Sequence, residues 1–216
     1  MSGERALLRP LPRSARRLPW REAQFAALDF ETTGLDLERD DVISFGVVRI
    51  DDGRIAIQET VYRLALPTVS PSPGSVTVHG LRAQDLQTAP ALDETRRVLA
   101  EALQGRFLVT WFASVENGFL AKLFGERPRA AAWARRNVDV RGLVLAVGDR
   151  AEDERLTLTA AADRYNVPVA DPHHALDDAL VTAELFLVLA TKLASQGRGA
   201  VRHLLRAGRG ARGPYE

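Results

Sequence analysis

The sequence predicts an α/β fold: a mixed sheet, antiparallel hairpins first and parallel strands afterwards, flanked by helices. Three observations carry this reading. Apolar runs rich in β-branched residues follow one another across tight turns between residues 24 and 66. Beyond residue 90, strand-like and helix-like stretches alternate. The clearest helix comes near the end, at Ala175–Leu193, where Leu176, Ala179, Leu180, Ala183, Leu187 and Ala190 recur at the 3.6-residue period.

Taken in order, Gln24–Phe30 (QFAALDF) is a short apolar run suited to a buried strand, and Val42–Ile50 (VISFGVVRI) is a second. Asp51-Asp52-Gly53 is a hairpin signal, after which Arg54–Leu66 returns as a third strand. Strands joined by tight turns are antiparallel. The proline-rich PTVSPSPGSVTVHGL leads to a helix at Leu92–Leu103. Phe107–Thr110 reads as a strand, followed by a helix from Val115 to Phe124. A short strand near Val138, another helical stretch and a helix at Leu158–Tyr165 complete the alternation, and Val201–Arg206 offers one more short helix.

With 46% hydrophobic against 26% charged residues in 216, the chain can bury a core as one domain. The expected division is a basic flexible extension at 1–21, the domain at 22–195, and a basic Gly/Arg-rich tail at 196–216. There are no cysteines, which excludes disulfides, thiolate nucleophiles and Cys-ligated zinc, and suits a reducing cytoplasm. Prolines and arginines interrupt the N-terminus before a signal-peptide core can form. The longest apolar run, around Leu185–Ala190, is too short to span a bilayer, so a soluble, cytoplasmic protein is expected. A net charge of +1 conceals an asymmetry. Residues 1–22 carry +4 and residues 192–216 carry +5, leaving −8 on the body between them. Basic ends fit arms that hold a polyanion, and they equally fit solvated tails.

Asp29 and Glu31 lie two apart at the end of an apolar strand, so both point to one face of the sheet. Carboxylates this close repel unless a proton or cation intervenes, and a hard divalent cation with oxygen ligands resolves the conflict. The second informative stretch, His173-His174-Ala175-Leu176-Asp177-Asp178, opens the long helix. Acids near a helix start stabilise its dipole, which accounts for one of the two aspartates but not for the histidines. A histidine beside a carboxylate-bound metal is a natural general base, since its ordinary pKa of about 6.5 lies near working pH.

Together, LDFETTGL and HHALDDALVTAELF resemble the first and third motifs of the DEDDh exonuclease family. That family includes the proofreading epsilon subunit of bacterial DNA polymerase III, ribonuclease T and oligoribonuclease. The similarity runs from about Phe25 to Leu193 and takes in Val78-His79-Gly80-Leu81, which resembles the family's His-Gly turn. It implies a ribonuclease-H-like sheet and two divalent ions, Mg²⁺ or Mn²⁺, about 3.5–4 Å apart. By position it makes Asp29, Glu31 and Asp178 metal ligands, with Asp29 bridging, and His173 the general base. It places Thr32, Thr33, Gly34 and Leu35 around the terminal nucleotide and His79 near substrate. The implied reaction releases nucleoside 5′-monophosphates from a free 3′ end of DNA or RNA. The implied partners are that nucleic acid and a DNA polymerase subunit.

The second motif departs from the family pattern. In Leu108-Val109-Thr110-Trp111-Phe112-Ala113-Ser114-Val115-Glu116-Asn117-Gly118-Phe119, Glu116 stands where the family carries aspartate, and Trp111-Phe112 replaces His-Asn. The resemblance gives Glu116 support of the second ion, from an arm one methylene longer. Trp111 and Phe112 are candidates for stacking on a terminal base, worth about 1–3 kcal/mol per base, or for packing, the commoner fate of aromatics at a strand end. The altered motif also keeps open a binding or polymerase-associated module with weakened or lost catalysis.

Overall fold

The structure, a computed structural model, describes residues 11–125, 133–148 and 156–210. Its strands are β1 (Phe25–Thr32), β2 (Val42–Asp51), β3 (Arg54–Ile55), β4 (Val61–Leu64), β5 (Phe107–Thr110) and β6 (Asn137–Asp139). They form one sheet in the order β3-β2-β1-β5-β6, with β4 also paired to β2. β1 runs antiparallel to β2 and parallel to β5, which runs parallel to β6. This is the expected mixed, ribonuclease-H-like sheet. The helices are α1 (Pro73–His79), α2 (Ala83–Leu86), α3 (Leu92–Leu103), α4 (Ala113–Phe124), α5 (Val140–Ala146), α6 (Leu158–Arg164), α7 (Ala175–Ser195) and α8 (Val201–Ala207).

The turn between β2 and β3 has the conformation its sequence demands, with φ of 52° at Asp52 and 67° at Gly53. The expected third strand, Arg54–Leu66, is instead two short strands. Ile55 pairs with Ile50 and Val61 with Val47, so the chain has three residues too many for a continuous ladder. These are extruded as a 3₁₀ turn at Ile57–Glu59, clamped by the Arg49–Glu59 ion pair at 2.6 Å. The proline-rich stretch hides a helix the sequence reading passed over. Ser72 caps α1 by accepting from Ser75 N, Pro73 occupies its first turn, and Gly80 ends it at φ 74°. Helix α4 starts at Ala113, two residues before the expected start.

The strand period of β1 sorts its side chains between two cores. Ala26, Leu28 and Phe30 face one, built with α3 and α4. Phe25 and Ala27 face the other, built with α5, α6, α7 and α8. Asp29 and Glu31 continue the second row, towards α7.

The described parts of both chain ends belong to the fold. Trp20 is buried, edge-on to Phe186 with ring centroids 5.8 Å apart. Pro19 bridges to Ala200, Trp20 N donates to Gly199 O and Val201 N donates to Leu18 O. Val201, Leu204 and Leu205 of α8 are core residues. The core thus extends past the expected limits at residues 22 and 196. Among the described residues no helix is long and apolar enough to cross a membrane.

Candidate active site

The parallel pairing of β1 with β5 ends at Ala27↔Val109, while β1 runs on to Thr32. The crevice beyond the carboxyl ends of parallel strands is where such sheets bind ligands. Asp29 and Glu31 stand on the unpaired part of β1. Helix α7 reaches them because Gly46, the register partner of Asp29 on β2, has no side chain. A Cβ at Gly46 would lie 2.2 Å from the Ala175 carbonyl oxygen and 2.4 Å from Leu176 Cα. Backbone therefore touches backbone, and the first turn of α7 delivers Asp178 to the β1 acids.

Ligand atoms of Asp29, Glu31 and Asp178 all lie within 4.8 Å of one another. Burial raises all three pKa values, and at Asp29 Glu116, Glu31 and Asp178 add repulsion in that order. Glu31 is pushed up to about 8 by burial and then by Asp178. Asp178 is raised by burial against the opposing hydrogen bond from His173 N, 3.0 Å from its Oδ2. Three carboxylates held together with so little to neutralise them fit a divalent cation, which the repulsion between them would favour.

Glu116 is buried in the first turn of α4, outside that group of three, and its Oε2 lacks a hydrogen-bond partner. Burial raises its pKa well above the usual range, and Asp139 adds to this. Asp139 escaped the sequence reading. Its Oδ2 accepts from Ala113 N at 2.9 Å and its Oδ1 from Gly142 N at 2.8 Å, so one carboxylate holds the starts of α4 and α5. The available signal was an aspartate between a strand and an apolar helix, the N-cap pattern. Burial lifts Asp139 to about 6 against these hydrogen bonds.

The two histidines are distinguished by their surroundings. His174 stacks on Tyr62 with ring centroids 4.5 Å apart, and its Nδ1 lies 2.6 Å from Asp177 Oδ2, a close contact without the alignment of a hydrogen bond. Tyr62 pairs with Gly46, so Asp29, Gly46 and Tyr62 form one row across three strands beneath the start of α7. His173 is exposed and left-handed, at φ 66°. His79 lies within electrostatic reach of it. Burial first, and His173 next among the lowering influences, depress the His79 pKa, opposed by the Thr32 backbone. His79 Nδ1 accepts from Leu81 N at 3.0 Å, which leaves its proton on Nε2.

The other expected substrate contacts fare unequally. Thr33 is buried and occupied within its own loop: its hydroxyl donates to Asp40 Oδ1 and accepts from Asp41 N. Gly34 is fixed by the Asp40 carboxylate, which would stand 2.4 Å from an added Cβ. Thr32 is buried beside His79, and Leu35 is 53% exposed. Trp111 is buried in the core cluster that lies on the α7 side of the sheet, which fits the packing alternative. Phe112 is half-buried, with the Arg141 guanidinium 5.0 Å from its ring centroid.

Fold and site together define the class: a nuclease with an acidic centre at the carboxyl end of the central strand of a ribonuclease-H-like sheet. The chain belongs to the RNase_T exonuclease family, whose sequence profile matches residues 26–186. It is 29% identical to the PolC-type DNA polymerase III of Thermotoga petrophila over 76% of this chain and 12% of that protein. It is 30% identical to the DNA polymerase III subunit epsilon-like protein of Rhodobacter capsulatus over 83% of this chain and 25% of the relative. The chain thus spans between about an eighth and a quarter of these two relatives. In three dimensions it resembles the nuclease domain of 3′hExo, a DEDDh family member bound to rAMP, with a TM-score of 0.66 and 16% identity, covering 83% of this chain and 95% of that one.

Proposed function

We propose that the protein is a metal-dependent 3′→5′ exonuclease that removes nucleoside 5′-monophosphates from a nucleic-acid strand through two divalent ions, Mg²⁺ or Mn²⁺. The observation that carries this reading is the close group of Asp29, Glu31 and Asp178, with Glu116 near enough to raise the Asp29 pKa. The three would hold one ion, with Asp29 shared, and Glu116 would support the other. Bound there, divalent cations offset the carboxylate repulsion, polarise the phosphodiester and make water a stronger nucleophile. His173, exposed at the mouth and held through its backbone by Asp178, takes the proton from the attacking water. His79, its Nε2 buried beside the Thr32 backbone, would shape the substrate side of the site from beneath.

Glu116 favours an active centre over a binding module that has lost catalysis. A lesion needs no burial, whereas this carboxylate is held buried, beside Asp29 and with one oxygen unpartnered. Two relatives are named for DNA polymerase III, and the similar 3′hExo domain is bound to rAMP, so both DNA and RNA strands are candidate substrates. The test is digestion of matched 5′-labelled single-stranded DNA, duplex DNA and RNA in Mg²⁺, in Mn²⁺ and in EDTA. Stepwise shortening from the 3′ end is expected with metal and none in EDTA. Asp29→Asn should abolish it while leaving a folded protein. A shifted but unshortened strand in every metal, or full turnover by Asp29→Asn, overturns the reading.

A further inference from the structure

The basic chain ends converge. Residues 11–21 and 196–210 contain no aspartate or glutamate, and the fold packs them together along the β6 side of the sheet. Helix α8 turns Val201, Leu204 and Leu205 into the core. Its other face presents Arg202, Arg206 and, just past its end, Arg209, spaced i, i+4, i+7 and all exposed. The helix starts beside Leu18–Trp20, ahead of the first residue of β1, and ends at Gly208, which packs against Asp139 at the last residue of β6. It therefore runs from the back of the sheet to the end where Asp139 holds the helix bearing Glu116. The 3₁₀ turn Arg13–Arg17 packs on α8 and adds exposed Arg13 and Arg17.

We propose that this surface is a second nucleic-acid contact, which holds the phosphates of the strand upstream of the end being processed. The proposal rests on the nuclease reading and extends it to substrate length. From Arg202 to Arg209 the axial distance is about 10 Å at 1.5 Å per residue, the length over which one strand of B-form DNA carries about three phosphates. Among the described residues, Arg202, Arg206 and Arg209 have no ion-pair partner. Burial of Trp20, Val201, Leu204 and Leu205 holds the two ends on the fold, and it leaves their like charges assembled on one surface, where they repel. A polyanion relieves that repulsion and releases its own counterions on binding.

The test compares the wild-type chain with Arg202→Gln/Arg206→Gln, and with Arg54→Gln/Arg97→Gln as an exposed control pair elsewhere on the surface. Anisotropy of a labelled 20-nucleotide single strand is measured in EDTA, where no turnover occurs, between 50 and 200 mM salt. Losing two phosphate contacts lowers the salt slope by about 1.4, so the α8 variant should lose about sevenfold less affinity than wild type across that range. With metal, its KM for the long strand should rise at constant kcat, while a trinucleotide is processed at the wild-type rate. Unchanged affinity and slope overturn the proposal and leave the surface to an acidic protein partner. An equal change in the control pair also overturns it. A wild-type chain that binds the strand through α8 but never shortens it would sink the nuclease reading while leaving α8 a nucleic-acid contact.

Discussion

Replacing Gly46 with alanine tests whether the site depends on contact between two backbones. The new methyl group would begin 2.2 Å from the Ala175 carbonyl oxygen, about 1.2 Å short of the 3.4 Å at which ordinary contact starts. Its other near neighbours, Ala175 C and Leu176 Cα, are also backbone, so no rotamer change can relieve the clash. Either β2 or the first turn of α7 must move by about an ångström. Overpacking of this kind costs about 1–3 kcal/mol, which for a chain of this size lowers Tm by roughly 2–12 °C. The functional effect should be larger, because Asp178 rides on that turn while Asp29 and Glu31 are fixed in β1. Misplacing a reacting constellation by about 1 Å costs about 10²-fold in rate. The assay is initial-rate digestion of a labelled strand beside a thermal melt in EDTA. A folded variant with a modestly lower Tm, at least tenfold slower turnover and a raised Mg²⁺ requirement is expected. Wild-type rate and metal requirement in a folded Gly46→Ala protein would refute the argument that close approach of α7 assembles the site.

Three further outcomes follow from the geometry. His173→Ala should cost about 10²–10⁴-fold in rate, the usual contribution of a positioned acid–base group. His174→Ala should cost little rate but some stability, since its ring packs on Tyr62; the reverse ranking in paired rate and melting measurements would reassign the base. Glu116→Asp should lower activity by withdrawing the carboxylate from the position its backbone supports, and Glu116→Gln should lower it through loss of charge. Equal rates for all three forms, measured across a Mn²⁺ titration, would remove Glu116 from the site. In metal-free protein the folded state keeps a proton on Glu31 up to about pH 8, whereas the ordinary value is 4.5. The folded form thus binds more protons across that window, and its stability in EDTA should fall as pH rises from about 5 to 8. The Glu31 contribution is at most about 1.4 kcal/mol per pH unit. Glu31→Gln should flatten the slope seen in denaturant melts, and a slope of opposite sign would contradict the burial of this carboxylate.

The sequence by itself determined whatever depends on neighbours along the chain. The period of two in β1 placed Asp29 and Glu31 on one face, the Asp-Gly turn set the β2–β3 hairpin, and the 3.6-residue period drew α7 almost to its ends. The motifs carried the family, and the profile match agrees with them over residues 26–186. Only the tertiary structure decided what depends on distant chain segments meeting. Nothing near Gly46 announces that α7 will rest on it, because the partner backbone lies about 130 residues away in sequence. Asp139 reads locally as a cap for α5, and its second bond, to the start of α4, exists only once β6 lies beside β5. Trp111 reads equally as a stacking or a packing aromatic along the chain, and only the assembled fold shows that it is buried among core residues. The two basic ends read as separate extensions for the same reason: their apolar residues, Trp20 and Leu204 among them, are too few to form a core alone and find one only against the assembled sheet and α7.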